Sequence, residues 1–452
     1  MSGSHGRWIV PGLLFAAVFA VHVFSPNATP FDSRWTVYTA HSLLHERNLD
    51  LNEFLPGIEQ EQFYGIECVK PDGSHRYPIR DASECPDGRL LNHYPVAVPL
   101  LAVPWVGALQ ATLDVLQPRL RTLAARMPTE PRRRFLSADL LGSAMIVEVL
   151  LASLCVALAS IVMYGIGREF LEQAGAAAVA LLFAFATPAW STASRALWQH
   201  GPSMLLVATI MLMLLRDRGR FTLVGAAVAL AFYVRPTNAV VVLVVSLYVW
   251  IHRRERVAGF LVGAAPVVAL FTLLNMLTYG TWMAPYASLR RIGAHDLTLW
   301  HPQLGAALLG NLVSPARGLF VYVPLFVLSF WGMRWSLSGA AAQRLHPFLV
   351  VLIPLHWWLI SSYQDWWGGH GYGPRYFSDM TPVFVYWLIP VVARLRTSPA
   401  LMAVFVMLTA LSVGIHYRGA TRWEVMDWSV VPNNVLYHPE RIWDWRDPPF
   451  LR

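Results

Sequence analysis

Apolar runs recur along this chain almost to its C-terminus, and that recurrence limits its fold more than any single motif. They lie near residues 8–24, 139–165, 174–190, 202–215, 221–235, 238–251, 257–277, 319–334, 347–361, 381–395 and 399–415. A bilayer core of about 30 Å is crossed by roughly 20 apolar residues in a helix. Shorter runs are accommodated by thinning the bilayer or by drawing on less apolar flanks. Only 14% of the 452 residues are charged, against about a quarter in soluble domains. The expected fold is an all-α polytopic membrane protein with about eleven transmembrane helices, one per run. Nineteen Trp and sixteen Tyr suit a chain with many membrane–water interfaces.

The net charge is +8 and is carried almost wholly by Arg. In a soluble chain that would raise nucleic-acid binding. In a membrane protein it fits Arg-rich cytoplasmic loops, so nucleic acid is not an expected partner. Residues 216–220, 252–256, 334–344 and 394–396 are accordingly placed inside, and the aromatic, Gly- and Pro-rich stretches 188–202, 279–315 and 363–382 outside. The N-terminus then lies inside and the C-terminal tail outside. The first apolar run lacks a small-x-small cleavage site and reads as a retained helix.

One stretch conflicts with this scheme. Residues 95–116 are apolar enough to span, yet Arg119, Arg121, Arg126 and the run 132–134 follow. If the stretch crossed, four basic loops would face outward. It is therefore expected to be an interfacial or re-entrant helix within a long outer loop, residues 25–138. Residues 32–51 of that loop have helical apolar spacing through Trp35, Tyr38, Leu43 and Leu44, which predicts a second amphipathic helix in the interface. The expected organisation is one membrane domain, 1–415, including this loop, and an extracytoplasmic tail, 416–452. Cys68 and Cys85 fall in the loop and would pair if it is extracytoplasmic; Cys155 lies in an apolar run and reads as inert packing.

Candidate chemistry gathers in the outer segments. Asp32 lies eight residues past the first apolar run, in Phe31-Asp-Ser-Arg34. It has two compatible readings: an N-cap for the helix that follows, or a carboxylate base facing a cleft at the membrane surface. An ionised Asp beside a bilayer must be solvated or paired. His93, in Leu91-Asn-His-Tyr-Pro, reads as a proton carrier, a donor to phosphate or a structural residue. Arg195 and His200 stand at an outer helix end and would meet an anionic headgroup or simply anchor there. Arg235 needs a partner at membrane depth, either a carboxylate or a ligand phosphate. Arg290 and Arg291 form a paired cation in another outer loop.

The densest stretch is Asp365-Trp-Trp-Gly-Gly-His-Gly-Tyr-Gly-Pro-Arg-Tyr376. Glycines let backbone approach a ligand closely. Trp366, Trp367 and Tyr376 offer faces for sugar rings, with His370 between them, and Arg375 offers a bidentate phosphate contact. There is no Walker phosphate loop, no zinc-spaced His/Cys set and no Gly-x-Ser-x-Gly elbow, so ATP hydrolysis and serine-esterase chemistry have no support.

An acidic residue opening the first outer loop, a Pro-rich entry to a second interfacial helix and a late outer Gly-Pro-Arg-Tyr together resemble the GT-C superfamily of membrane glycosyltransferases. That superfamily includes protein O-mannosyltransferases and bacterial aminoarabinose transferases. The resemblance implies a polyprenyl-phosphate sugar donor, a lipid, glycan or protein acceptor, and an active site on the outer face of a bacterial inner or plasma membrane. It implies Asp32 as general base, Arg375 with Arg290 and Arg195 on the donor phosphate, and Trp366, Trp367, His370, Tyr376 and His93 on the sugar or acceptor. No cofactor is expected and no metal ligand is assigned, although a divalent metal fits the chemistry too. Protein O-mannosyltransferases commonly carry Asp-Glu where this chain has Asp32-Ser33, which argues against protein mannosylation and leaves Asp50, Glu53 or Asp296 as sources of a second acid. A transporter or flippase of lipid-linked glycans is the rival reading; inverted repeats would favour it, and the sequence shows none.

Overall fold

The computed structural model describes residues 6–217, 219–283, 301–335 and 340–452. The chain begins with α1 (Gly6–Phe24), whose Pro11 sits near its start and which ends ahead of Pro26. The outer segment follows, with α2 (Thr36–His45), α3 (Leu55–Gln60) and three short strands, β1 (Ile66–Val69), β2 (His75–Arg76) and β3 (Arg89–Asn92). Then come α4 (Ala97–Ala125), α5 (Glu130–Leu136), α6 (Ala144–Arg168) and α7 (Gln173–Phe185). The rest of the first half is α8 (His200–Arg216), α9 (Phe221–Val234), α10 (Ala239–His252) and α11 (Val257–Tyr279). The second half holds α12 (Leu304–Val313), α13 (Leu319–Tyr322), α14 (Val327–Arg334), α15 (Ala340–Ser361), α16 (Thr381–Tyr386), α17 (Ile389–Arg394), α18 (Pro399–Thr421) and α19 (Glu424–Asp427).

The protein is an all-α integral membrane protein, with six helical segments long and apolar enough to cross a bilayer and six shorter apolar helices among the described residues. Proline explains where apolar runs break. Run 319–334 is split into α13 and α14 by a 3-10 turn at Pro324–Phe326, because proline cannot donate its backbone bond and clashes one turn back. Run 381–395 is divided in the same way, with Pro382 and Pro390 at the starts of α16 and α17. This broken segment is the interior of the bundle: Phe384, Tyr386, Trp387 and Leu388 are all buried. Where α9 and α11 cross, Gly225 and Gly263 face the carbonyls of Phe260 and Thr222 so closely that a methyl group at either would collide with backbone, the close packing that small residues permit between membrane helices.

The outer segment is more structured than its helical spacing predicts. Its strands form an antiparallel sheet in the order β2-β1-β3, with Cys68 opposite Leu90 and Arg76. Trp35, Leu51, Ile58, Phe63, Ile66 and Ile79 form a small core under it. Cys68 and Cys85 are joined in a disulfide across 17 residues of sequence; closing a loop of that size stabilises a fold by about 3 kcal/mol.

By length and composition α4 also qualifies as a span, running nine residues past Leu116 over Arg119 and Arg121. The chain nevertheless returns to the end it left. Gln110 donates to the Ala138 carbonyl at 3.1 Å, Tyr38 to the Leu141 carbonyl at 3.2 Å, and α2 packs along α4. Thus α4 and its return strand of chain leave α6 starting beside the turn that carries Asp32. The tail begins at Arg422, six residues later than the apolar run suggests, because α18 continues to Thr421.

Candidate active site

The turn before α2 ties each successive residue to a different part of the molecule. Asp32 Oδ1 accepts hydrogen bonds from the hydroxyls of Tyr64 at 3.0 Å and Tyr94 at 3.1 Å. Its Oδ2 stands 3.1 Å from Arg375 Nη1. Ser33 donates to Glu148 on α6. Arg34 pairs with Glu61, and the Trp35 indole donates to the Tyr64 carbonyl at 2.7 Å. The cap reading of Asp32 is not what the structure has: Trp35 occupies the cap position of α2, with no side-chain bond to the helix start. The carboxylate points instead at the tyrosines and Arg375.

Arg375 reaches Asp32 from the glycine-rich loop between α15 and α16. Gly368 and Gly373 adopt left-handed backbone with φ of 74° and 64°, which only glycine takes without strain. A side chain at Gly368 would press against Arg375 Nε at 2.9 Å, and one at Gly371 against its Cδ at 3.0 Å. The glycines therefore make room for the arginine itself. Its guanidinium lies over the Trp198 ring at 4.8 Å and over Tyr376 at 5.4 Å, geometry that holds a cation by its flat face and leaves the edges for hydrogen bonds.

A second ion pair stands behind the first. Arg235, at the end of α9, donates from Nε to Asp379 Oδ2, and His200 Nδ1 lies 3.6 Å from Asp379 Oδ1. The partner that the sequence left open for Arg235 is thus a carboxylate of the protein. Asp32, Tyr94, Trp198, His200, Arg235 and Arg375 line one cleft that is partly open to solvent.

Electrostatics keeps Asp32 ionised. Burial pushes its carboxyl up, but the Arg375 charge, then the Tyr64 and Tyr94 hydroxyls, outweigh burial and hold it below the ordinary aspartate value. The same carboxylate, together with burial, raises the Tyr64 hydroxyl, while burial and then Asp32 raise that of Tyr94. Both tyrosines therefore remain donors at neutral pH.

The other residues singled out from sequence are placed as follows. Tyr376 lines the cleft. Arg195 does not: it is fully buried and donates to the backbone carbonyls of Ser25, Asn27 and His22, stapling the end of α1 and the chain just after it to the segment before α8. Trp366 and Trp367 are buried with Ala307, Ala316 and Trp428 under the C-terminal tail, away from the cleft lining. His370 meets Asn434 of that tail at 2.9 Å. His93 bonds Glu67 at 2.9 Å and stacks on Tyr77 at 3.8 Å, next to the cleft but not lining it. Arg290 and Asp296 lie outside the described residues. Asp50 and Glu53 do not line the cleft. Among the described residues no group of three or more His, Cys, Asp or Glu is placed to hold a metal ion.

Sequence reasoning missed Tyr64, Tyr94, Trp198, Asp379 and Glu148. Glu148 did carry a signal, an acid inside apolar run 139–165, since an ionisable residue within a span is expected to have a partner and a role. The tyrosines carried none, because hydrogen bonding to a residue 32 or 62 positions away leaves no trace in spacing.

Residues 135–282 match the family model of dolichyl-phosphate-mannose-protein mannosyltransferases. The match supports a GT-C-type membrane glycosyltransferase. No curated protein sequence matches the chain. The matched stretch is about a third of the enzyme, from α5 through α11. It includes Glu148, Trp198, His200 and Arg235, whereas Asp32 and Arg375 come from segments on either side of it.

Proposed function

We propose that the enzyme transfers a sugar from a polyprenyl-phosphate donor to a lipid, glycan or protein acceptor, with inversion, on the extracytoplasmic face of its membrane. The observation that carries this reading is the approach of Asp32 and Arg375 to 3.1 Å in one cleft, from segments more than 300 residues apart. One is a carboxylate suited to take a proton. The other is a cation suited to an oxyanion.

In the proposed step Asp32 removes the proton from an acceptor hydroxyl or amine. The freed electron pair attacks the anomeric carbon from the face opposite the phosphate. The anomeric C–O bond breaks, and the phosphate departs with that electron pair. Arg375 then meets charge that grows in the transition state, where a fixed donor is most effective. General-base help of this kind contributes about 10²–10⁴-fold. Because Arg375 faces Asp32 directly, an arriving phosphate competes for the guanidinium. A carboxylate that shares its cation is a stronger base, so donor binding prepares Asp32 for the acceptor.

The disulfide in the segment that carries Asp32 supports an oxidising compartment and hence the outer face. Ser33 beside Asp32, in place of a second acid, favours a lipid or glycan acceptor over protein. The test is transfer from a panel of polyprenyl-phosphate sugars by the purified protein in nanodiscs. Transfer that disappears in Asp32→Asn supports the reading, and undiminished transfer in that variant removes Asp32 as base. Lipid-linked sugar crossing vesicles without any transfer would establish a transporter instead.

A further inference from the structure

Glu148 sits in the first turn or so of α6, 1% exposed, inside one of the most apolar segments of the chain. An acid in such a place is costly to bury and persists where it has partners and a task. Its two partners are specific. Oε2 accepts from the Ser33 hydroxyl, one residue past Asp32, and from the Leu197 amide at 3.2 Å, one residue before Trp198. A single carboxylate oxygen thus joins the turn that bears Asp32 to the strand of chain whose Trp198 ring supports Arg375.

The other ties between these segments fall on the near side of Asp32. Trp198 Nε1 donates to the Thr29 carbonyl at 2.7 Å, the Thr29 amide donates to the Arg195 carbonyl at 3.0 Å, and Arg195 holds Ser25 and Asn27. The turn is fixed before Asp32 by these bonds and against the Trp198 wall after it by Glu148. Beyond Glu148, that side is held by the outer sheet and by apolar packing of α2, whose Val37 and Ala40 share a core with Val147, Leu151 and Leu197; Glu148 adds the polar tie between Ser33 and Leu197.

We propose that Glu148 is a positioning residue for sugar transfer, clamping Ser33 and Leu197 so that Asp32 and Arg375 keep their separation across the cleft. This rests on the reading of Asp32 as the base. The second carboxylate of the site then comes from α6, acting through Ser33, and does not touch substrate. Two donors on one oxygen need an acceptor rather than a proton carrier, so an amide oxygen can do much of the same work.

The test compares wild type with Glu148→Ala, Glu148→Gln, Ser33→Ala and the Glu148→Ala/Ser33→Ala double variant, in nanodiscs, with monodisperse protein and a polyprenyl-phosphate sugar that wild type uses. Misplacing a reacting group by about 1 Å costs on the order of 100-fold. Glu148→Ala should therefore lower kcat by about 100-fold, with donor KM changed less than about 3-fold. Ser33→Ala, which loses one of the two bonds, should lose about 10-fold. The double variant should be no worse than Glu148→Ala, because both act through one tether. Glu148→Gln should recover most of the loss. Should Glu148→Ala fail to fold, Ser33→Ala and Glu148→Gln carry the comparison. Unchanged kcat in Glu148→Ala or Ser33→Ala, a Gln variant as impaired as Ala, or additive losses would overturn the positioning role alone. A wild type that transfers sugar from no polyprenyl-phosphate donor would overturn the reading of the reaction and this role with it.

Discussion

Two arginine–carboxylate pairs stand one behind the other at the cleft and differ in what surrounds them. Arg235 and Asp379 are 5% and 0% exposed, and Asp379 is also faced by His200. Asp32 and Arg375 are 25% and 11% exposed and open onto the cleft. A pair sealed from water holds its geometry, because separating the charges would strand one of them in an apolar interior. A pair at the rim can exchange partners, because solvent or a ligand phosphate can take over either charge. The inner pair is therefore the frame of the site, and the outer pair is the part proposed to work on substrate.

The largest effect tests the frame. Asp379→Ala or Arg235→Ala should destabilise the protein by about 3–5 kcal/mol, the typical result of removing one partner from a buried pair, read as a large fall in thermal midpoint or loss of monodisperse protein. A well-folded Asp379→Ala enzyme would erase the distinction between the pairs. Asp32→Asn should do the reverse: transfer falls by about 10³-fold, within the range for a lost general base, while the thermal midpoint falls less than in the Asp379 variant.

The next effect is on pH dependence. A carboxyl whose folded value is lowered stabilises the fold above its unfolded value of about 3.9 and loses that contribution as pH falls through the lowered value. Asp32 is such a group. The acid limb of kcat/KM that it controls should lie below about pH 4 in the wild type. In Arg375→Met, burial loses its main opponent, and the limb should rise, measured on the residual transfer activity. An unmoved limb would mean that Arg375 does not govern the carboxylate. The smallest effect is expected from Tyr64→Phe and Tyr94→Phe, each of which removes one donor to Asp32 and should cost about 3–10-fold in kcat/KM. The Tyr94 variant should lose more, because Tyr64 is the more exposed of the two.

Arg195 and Arg375 show how far local sequence reading reaches. Both are arginines in polar segments between apolar runs, and both suit a phosphate by type. Arg195 spends its donors on carbonyls of the chain near α1, while Arg375 lies on aromatic faces with an edge toward Asp32. The difference lies in which backbone each meets after folding. Trp366, Trp367 and His370 follow the same rule: they have the chemistry of a sugar site, and the tail from Arg422 onward occupies them instead.

Sequence alone determined the membrane class and singled out Asp32 and the Gly-Pro-Arg-Tyr loop as candidates, while the breaks at Pro324, Pro382 and Pro390 emerged only in the fold. The first two follow from properties carried by neighbouring residues: apolar length, and the cost of a lone acid beside lipid. Tertiary structure alone decided that Asp32 faces Arg375 rather than a helix end, that Tyr64 and Tyr94 hold it, that Asp379 takes Arg235, and that Glu148 reaches Ser33. These are contacts between residues tens to hundreds of positions apart. Hydrogen bonds and ion pairs act over about 3 Å, so only the packing of the helices, and not the order of residues, brings such groups within reach.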